Sequence, residues 1–388
     1  MAEVTNFEHN GVSIETTESP EAMGGLGDNV VGLVGTAPKA DMSVPRNAPF
    51  RINSFSLAAL LDPTGTEAGS LFHTVHQILK VVKVPVYVIV VEEGATLADT
   101  RNNVIGGVDV TSGQVTGLGA LALCAEVPTI IGAPGFSDAQ AVHSELASLG
   151  KRIRARVVFD GLDTGVQGQV ANSTGIGGAE LGYDRCYMVH QMPAVYSKAA
   201  KANVFLPPSS LAIAAMAAVK QWESPGNQVT YAADVSRSVE YNILDKSTEG
   251  DLLNRYGVSY YARTALGGFS LIGNRSITGK FISYVGLEDA ITRKLVKAAQ
   301  KVMAKNLTKT FMEQEVKRIN DWIQTLVADE TIPGGKVYLH PELNSVEKYK
   351  NGTWYLCIDY GRYAPNEHMI YQLNASDAII EEFLEDVL

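Results

Sequence analysis

The chain has 388 residues, 46% of them apolar and 19% charged, with a net charge of −10. That length accommodates two or three domains of about 150 residues with real cores, and the acidic balance excludes nonspecific nucleic-acid binding by the whole molecule. No apolar run reaches the length of a membrane span, and the opening MAEVTNFEHNG lacks the basic start and apolar core of a signal peptide.

Residues 3–18 form a polar lead-in containing Gly11-Val-Ser-Ile-Glu-Thr16. Val12 and Ile14 fall on one face of it, an edge-strand pattern. From Val30 continuous apolar runs recur at Val30–Val34, Val84–Val91, Pro128–Ala133, Ala155–Phe159 and Cys186–Val189. Helical patterns lie between them at Ala68–Val82, Leu118–Ala125, Ala139–Arg152 and Ser209–Trp222. Apolar strands alternating with helices predict a parallel sheet covered on both faces, so residues 21–245 read as a doubly wound α/β domain.

Beyond residue 246 the organisation changes. Val258–Thr264, Phe269–Ile272 and Lys280–Val285 read as strands, followed by helices over Leu287–Lys305 and Phe311–Val327. Strands at Lys336–Leu339, Trp354–Tyr360 and His368–Leu373 complete an α+β domain over 246–375, and an acidic tail closes the chain at 376–388. The fold class is thus α/β plus α+β.

Catalytic chemistry is hard to find in these residues. In GGFSLIGNRSITGKFISY (267–284) five residues separate Gly273 from Gly279, where a phosphate loop needs four. Phe281 stands in place of the Mg²⁺-binding hydroxyl. The first strand–helix connection, TAPKADMSVPRNAP, carries no dinucleotide fingerprint. His73 and His76 have helical ligand spacing, but no Glu of an H-E-x-x-H motif and no third ligand is nearby, so they read as a surface pair. Asp160 and Asp163 are accounted for by a turn, DGLD. The cysteines, Cys124, Cys186 and Cys357, have no nucleophile context; their odd number and apolar settings predict buried free thiols in a reducing compartment. No catalytic residue, metal ligand or cofactor site is expected. The doubly wound pattern keeps one alternative open, an α/β enzyme or small-ligand-binding protein.

The sequence DLLNRYGVSYYARTALGGFSLIGNRSIT resembles the tail sheath proteins of contractile phage tails and R-type pyocins. Gly268-Phe269, Leu271 and Gly273-Asn274-Arg275-Ser276 stand in the places of that family's hallmark, with Ser276 for the more usual Thr. NGVSI, VVGLVGTAP, VPVYVIVV, PTIIGAPG and KNLTKTF match as well, so the resemblance spans nearly the whole chain. It implies a structural subunit without cofactor, polymerising as hexameric rings stacked helically around an inner tube and contracting to drive that tube through a cell envelope. The implied partners are further copies of the chain, the inner tail tube protein, and baseplate and tail terminator proteins, with no direct nucleic-acid contact and no membrane insertion. The implied location is a virion tail or phage-tail-like particle, assembled in the bacterial host cytoplasm. The resemblance also places the 246–375 domain, with an N-terminal arm (1–20), on the inside and the α/β domain outside as an insertion.

Two features acquire roles on that reading. The extended segments at the two ends, around Val12 and Ile14 and around Ile370 and Leu373, are expected to link subunits by strand addition. Lys294, Lys297, Lys301 and Lys305 fall on one arc of a predicted helix opposite Leu295, Ala299, Val302 and Met303, and no acid occurs from Ile291 through Met312. These lysines are expected to face the inner tube. Arg275 is expected to anchor its turn or a neighbouring segment rather than a phosphate.

Overall fold

The computed structural model describes residues 23–387; the expected strand with Val12 and Ile14 lies outside the described residues. The chain forms two compact units, residues 29–286 with 364–387 and residues 23–28 with 287–363.

In the larger unit the strands are β1 (Val31–Thr36), β2 (Phe50–Ile52), β3 (Val86–Val91), β4 (Ile130–Gly132), β5 (Arg156–Asp160), β6 (Cys186–Val189), β7 (Pro193–Ser197), β8 (Ala202–Phe205), β9 (Gln228–Val229), β10 (Asp234–Val235), β11 (Val258–Thr264) and β12 (Gly268–Ile272). Its helices up to residue 255 are α1 (Phe55–Ala58), α2 (Leu71–Val81), α3 (Leu97–Ile105), α4 (Gln140–Ile153), α5 (Val166–Thr174), α6 (Ser209–Ala218) and α7 (Glu249–Arg255). Nine strands form one sheet in the order β2-β3-β1-β4-β5-β6-β11-β12-β9. The six from β3 to β11 are parallel; β2, β12 and β9 pair antiparallel at the two edges. A separate antiparallel sheet has the order β10-β7-β8.

The apolar runs are strands because this sheet is buried on both faces. Val86, Val88 and Val90 of β3 enter one core, with Val75 and Ile78 of α2 and the buried α6. Tyr87, Ile89 and Val91 enter the other, with Val142 and Leu146 of α4 and Val104 of α3. The period-2 alternation of a strand therefore supplies apolar atoms on both sides.

The smaller unit contains α9 (Lys309–Ala328), α10 (Val346–Lys350) and the antiparallel pair β13 (Gly335–Leu339) and β14 (Leu356–Tyr360). Residues 287–300 of α8 (Ile282–Gln300) also belong to it. Ile319, Trp322, Ile323 and Leu326 repeat at helical spacing along α9 and are buried, and Val337 of β13 is buried too. The last helix, α11 (Asp377–Val387), has no buried residue.

Several expected elements differ. Leu118–Ala125 forms a 3₁₀ turn, Gly117–Leu123, because the left-handed Gly106 and Gly117 bring two backbones into contact there. Lys280–Val285 is not a strand: the turn closes with Ser276 N donating to Lys280 O, and Ile282 then opens α8. A mostly apolar segment of six residues is too short for its pattern to tell strand from helix. His368–Leu373 has no regular structure, since a strand needs a partner and none pairs with it among the described residues. The acidic tail is helical. The compact units divide at 28/29, 286/287 and 363/364 rather than near residue 245, because β11 pairs with β6 and carries β12 into the large sheet. Cys124 and Cys186 are buried thiols as expected, but Cys357, on the two-stranded sheet, is only half-buried.

Two buried histidines make the larger unit sensitive to acid. His143 on α4 stacks on Phe159 and lies 3.0 Å from the Tyr183 hydroxyl. His190 follows β6. Desolvation pushes both imidazoles down to about 4. An unfolded chain takes up these protons as the pH falls below 6.5, whereas the folded chain does so only near 4. The stabilisation is therefore complete above pH 6.5 and is lost between 6.5 and about 4, on the order of 2 kcal/mol for each histidine. Urea midpoints should fall across that window, and His143→Gln should flatten the fall.

Candidate functional site

The turn between β12 and α8 carries the Gly-Asn-Arg-Ser motif, and each residue has a local task. Gly273 has φ 138°, and a Cβ there would meet Ser259 Oγ at 2.3 Å. Its carbonyl accepts from the Tyr187 hydroxyl at 2.8 Å. Asn274 Oδ1 accepts from Ser224 Oγ, and Asn274 O from Ile282 N at 3.0 Å. Ser276 is fully buried, with its Oγ 3.1 Å from Thr278 Oγ1. A hydroxyl is what that position uses, so Ser serves where Thr is usual.

Arg275 is the centre of the site. Its Nη1 donates to Gly279 O at 2.7 Å, and the guanidinium lies 3.9 Å over the Phe281 ring. Nε and Nη2 meet the Glu367 carboxylate at 3.0 Å and 2.6 Å. This is the two-pronged geometry that a planar guanidinium supports and an ammonium does not. Lys280, the lysine of the apparent phosphate loop, faces the Asp184 carboxylate at 3.7 Å. The turn thus anchors protein segments, as the residues had indicated, and the partner 92 residues downstream had no signal in the sequence.

The other singled-out residues are dispersed. Ile370 and Leu373 are 79% and 92% exposed, and Met369 and Tyr371 between and beside them are exposed too. Lys294 and Lys297 lie on α8, but the helix ends at Gln300; Lys301 falls in a turn and Lys305 follows Ala304, whose φ is 67°. After Ala298 no side chain of that segment is buried, so no packing holds a further turn of helix. The expected packed side holds only in part: Leu295 and Val302 are half-buried, but Ala299 is exposed and Met303 is 73% exposed. Burial first, and then repulsion from Lys297 and Lys301, holds the Lys294 ammonium below its ordinary value.

His73 and His76 are half-buried rather than freely exposed on the surface. His76 packs on Phe55 and Phe72, and His73 lies 3.4 Å from Glu67. Desolvation lowers both. Among the described residues no cluster of His, Cys, Asp and Glu has the form of a metal site, and no helix is long and apolar enough to cross a membrane. A cavity of about 450 Å³ at the carboxyl ends of β1 and β4 is lined by Thr36, Glu67, Ser70, His73 and Gly135. Its carboxylate is already engaged, with Ser197 Oγ and Lys198 N donating to Glu67. Asp163 is an exposed ion-pair partner of Arg237, whereas Asp160 is a buried acceptor that the turn reading missed.

No protein-family model matches the chain. It is 25% identical over 371 residues to a putative prophage major tail sheath protein of Pseudomonas aeruginosa UCBPP-PA14, covering 92% of this chain and 93% of the relative. It is 25% identical over 408 residues to the tail sheath protein of Escherichia phage P2, covering 98% of each. Among solved structures, it superposes on the contracted sheath complex of an extracellular contractile injection system, PVC, with a TM-score of 0.70 at 14% identity, covering 97% of this chain and all of that one. The contracted helical sheath of the anti-feeding prophage gives 0.66 at 15% identity, covering 95% and 99%.

Proposed function

We infer that the chain is a contractile tail sheath protein, a structural subunit that polymerises around an inner tube and contracts to drive the tube through a cell envelope. The observation that carries this is the end-to-end likeness to the phage P2 tail sheath, 98% of both chains. The likeness runs through both compact units and not through one domain alone. The comparisons lend no support to an α/β enzyme.

The finer picture is our reading. Subunits stack as hexameric rings in a helical sheath, with an inner tube protein, a baseplate and a tail terminator as partners, in a phage tail or tail-like particle. A baseplate of the anti-feeding prophage among the structural neighbours supports the baseplate partner. The unpaired cysteines are consistent with assembly in a reducing host cytoplasm. Residues 287–363 with the N-terminal arm line the inside, and the doubly wound sheet faces outward. Contraction is then a downhill exchange between two subunit packings, with its energy stored at assembly.

Electron microscopy of the purified chain tests the core of this. Tubes or stacked rings are expected; uniform small particles under all assembly conditions would overturn it. Deleting residues 1–18 should leave a soluble, folded monomer that forms no tubes, and normal tubes would count against the N-terminal arm.

Lys294, Lys297, Lys301 and Lys305 supply the inner-tube contact. The run from Ile291 to Met312 without an acid supports this, and Lys297 and Lys305 are exposed. Single contacts of this kind contribute about 0–1 kcal/mol and are screened by salt, but a tube repeats them many times. Reversing Lys297 and Lys301 to Glu should impair co-assembly on the inner tube without changing the melting temperature. Unaltered extended particles would argue against this contact.

A further inference from the structure

We propose that the Arg275–Glu367 clamp is a positioning device that sets the direction in which residues 369–387 run on from the motif turn, and that polymerisation depends on it. The proposal rests on the sheath reading above and adds the role of the motif arginine within it.

The segment needs such a device. Residues 364–376 have no regular structure, and among the described residues no backbone hydrogen bond ties them to residues 29–286 of the same unit. An unfixed chain samples many directions, and ordering it at the moment of docking costs free energy that a pre-set direction removes. Glu367 stands two residues before the exposed apolar run that begins at Met369. A carboxylate fixed there fixes the start of the arm.

Arg275 is built to fix it. Its guanidinium is immobilised on two sides before it reaches Glu367, by the Gly279 carbonyl and by the Phe281 face. Phe281 is itself held edge-on by Tyr284, their ring centres 5.2 Å apart, in the first turn of α8. Both Glu367 oxygens then accept from one rigid plane, Oε1 at 3.0 Å from Nε and Oε2 at 2.6 Å from Nη2. A fork held this way specifies the orientation of its partner, whereas a flexible ammonium specifies only proximity. The arginine of the motif turn thus acts on assembly through the chain it holds.

Glu367 is exposed, so its substitution leaves the core intact. In full-length protein with Cys357→Ser, spin labels at His368→Cys and Lys246→Cys report the direction of the segment, while tube formation is followed by sedimentation and electron microscopy. Glu367→Ala should broaden the distance distribution at unchanged melting temperature. It should also raise the protein concentration needed for tubes by about tenfold. Arg275→Glu alone should broaden the distribution and impair tubes likewise, with some loss of melting temperature because its bond to Gly279 O and its contact with Phe281 go too. Arg275→Glu with Glu367→Arg should form tubes better than either single variant. An unbroadened distribution in Glu367→Ala, or tubes at the wild-type concentration, overturns the clamp and leaves the sheath reading standing. Failure of the unsubstituted chain to form tubes overturns the sheath reading instead.

Discussion

Removal of residues 369–388 is expected to abolish tube formation while shifting the melting temperature by no more than about 2 °C. The two halves of that expectation have separate causes. Stability is unaffected because the described part of the deleted segment buries nothing: Ile379, Ile380, Phe383, Leu384 and Val387 form one apolar face along α11, and all are exposed. Eleven residues are also too few for a helix to be stable alone in water, so α11 gains its stability from whatever covers that face. On the proposed sheath function, assembly is expected to fail because large apolar side chains contribute about 1.5–3 kcal/mol each when buried, and this segment would offer a row of them to a neighbouring subunit. Exposed apolar surface on that scale marks an interface. The cut falls after Glu367, so the Arg275 clamp remains and the body of the protein keeps its native turn. Tubes of normal length from the truncated chain would show that the segment is no linking arm. A drop of ten degrees in the melting temperature would show that it belongs to the core.

What was legible in the chain follows from where its information is local. β1, β3, β4, β5 and β6 were visible as apolar runs because a sheet covered on both faces leaves no polar alternation to confuse with other patterns. The hairpin of β11 and β12 was visible too, yet its membership of the large sheet was not, because the pairing of Val258 with Met188 joins residues 70 apart and has no compositional trace. Assigning that hairpin to a second domain was the natural consequence. The motif turn shows the same division. Its glycines and its unfitness for phosphate were readable residue by residue, while the partner of Arg275 was a long-range fact. The lysine stripe failed in part for a different reason: helical spacing continues to Lys305, but the packing that sustains a helix stops at Ala298. Periodicity records what a helix would present, and burial decides how far it runs.

Asp160→Ala is expected to destabilise the larger unit by about 3–5 kcal/mol, enough to remove much of the stability of an ordinary domain. Asp160 ends β5 and is buried. Its Oδ2 accepts from Gly135 N at 2.9 Å and Ser137 Oγ at 2.7 Å, in the connection from β4 to α4. Its Oδ1 accepts from Ser209 N at 2.8 Å. Ser209 is the first residue of α6, whose cap position is Pro208 and therefore has no side chain able to accept. The carboxylate caps that helix from across the sheet, and its charge is favoured by the positive end of the helix. Burial pushes the carboxyl up while the donors from Ser209, Ser137 and Gly135 pull it down. Alanine removes the acceptor and strands the buried donors Ser137 Oγ and Ser209 N, with Gly135 N left at the edge of the cavity, which costs more than the bonds themselves were worth. Asp160→Asn should lie between, at about 2 kcal/mol, since one oxygen can still serve Ser209 N while the amide opposes the other two donors. Urea unfolding of the three proteins gives the comparison directly, and a loss below about 1 kcal/mol for alanine would show that these donors find other partners.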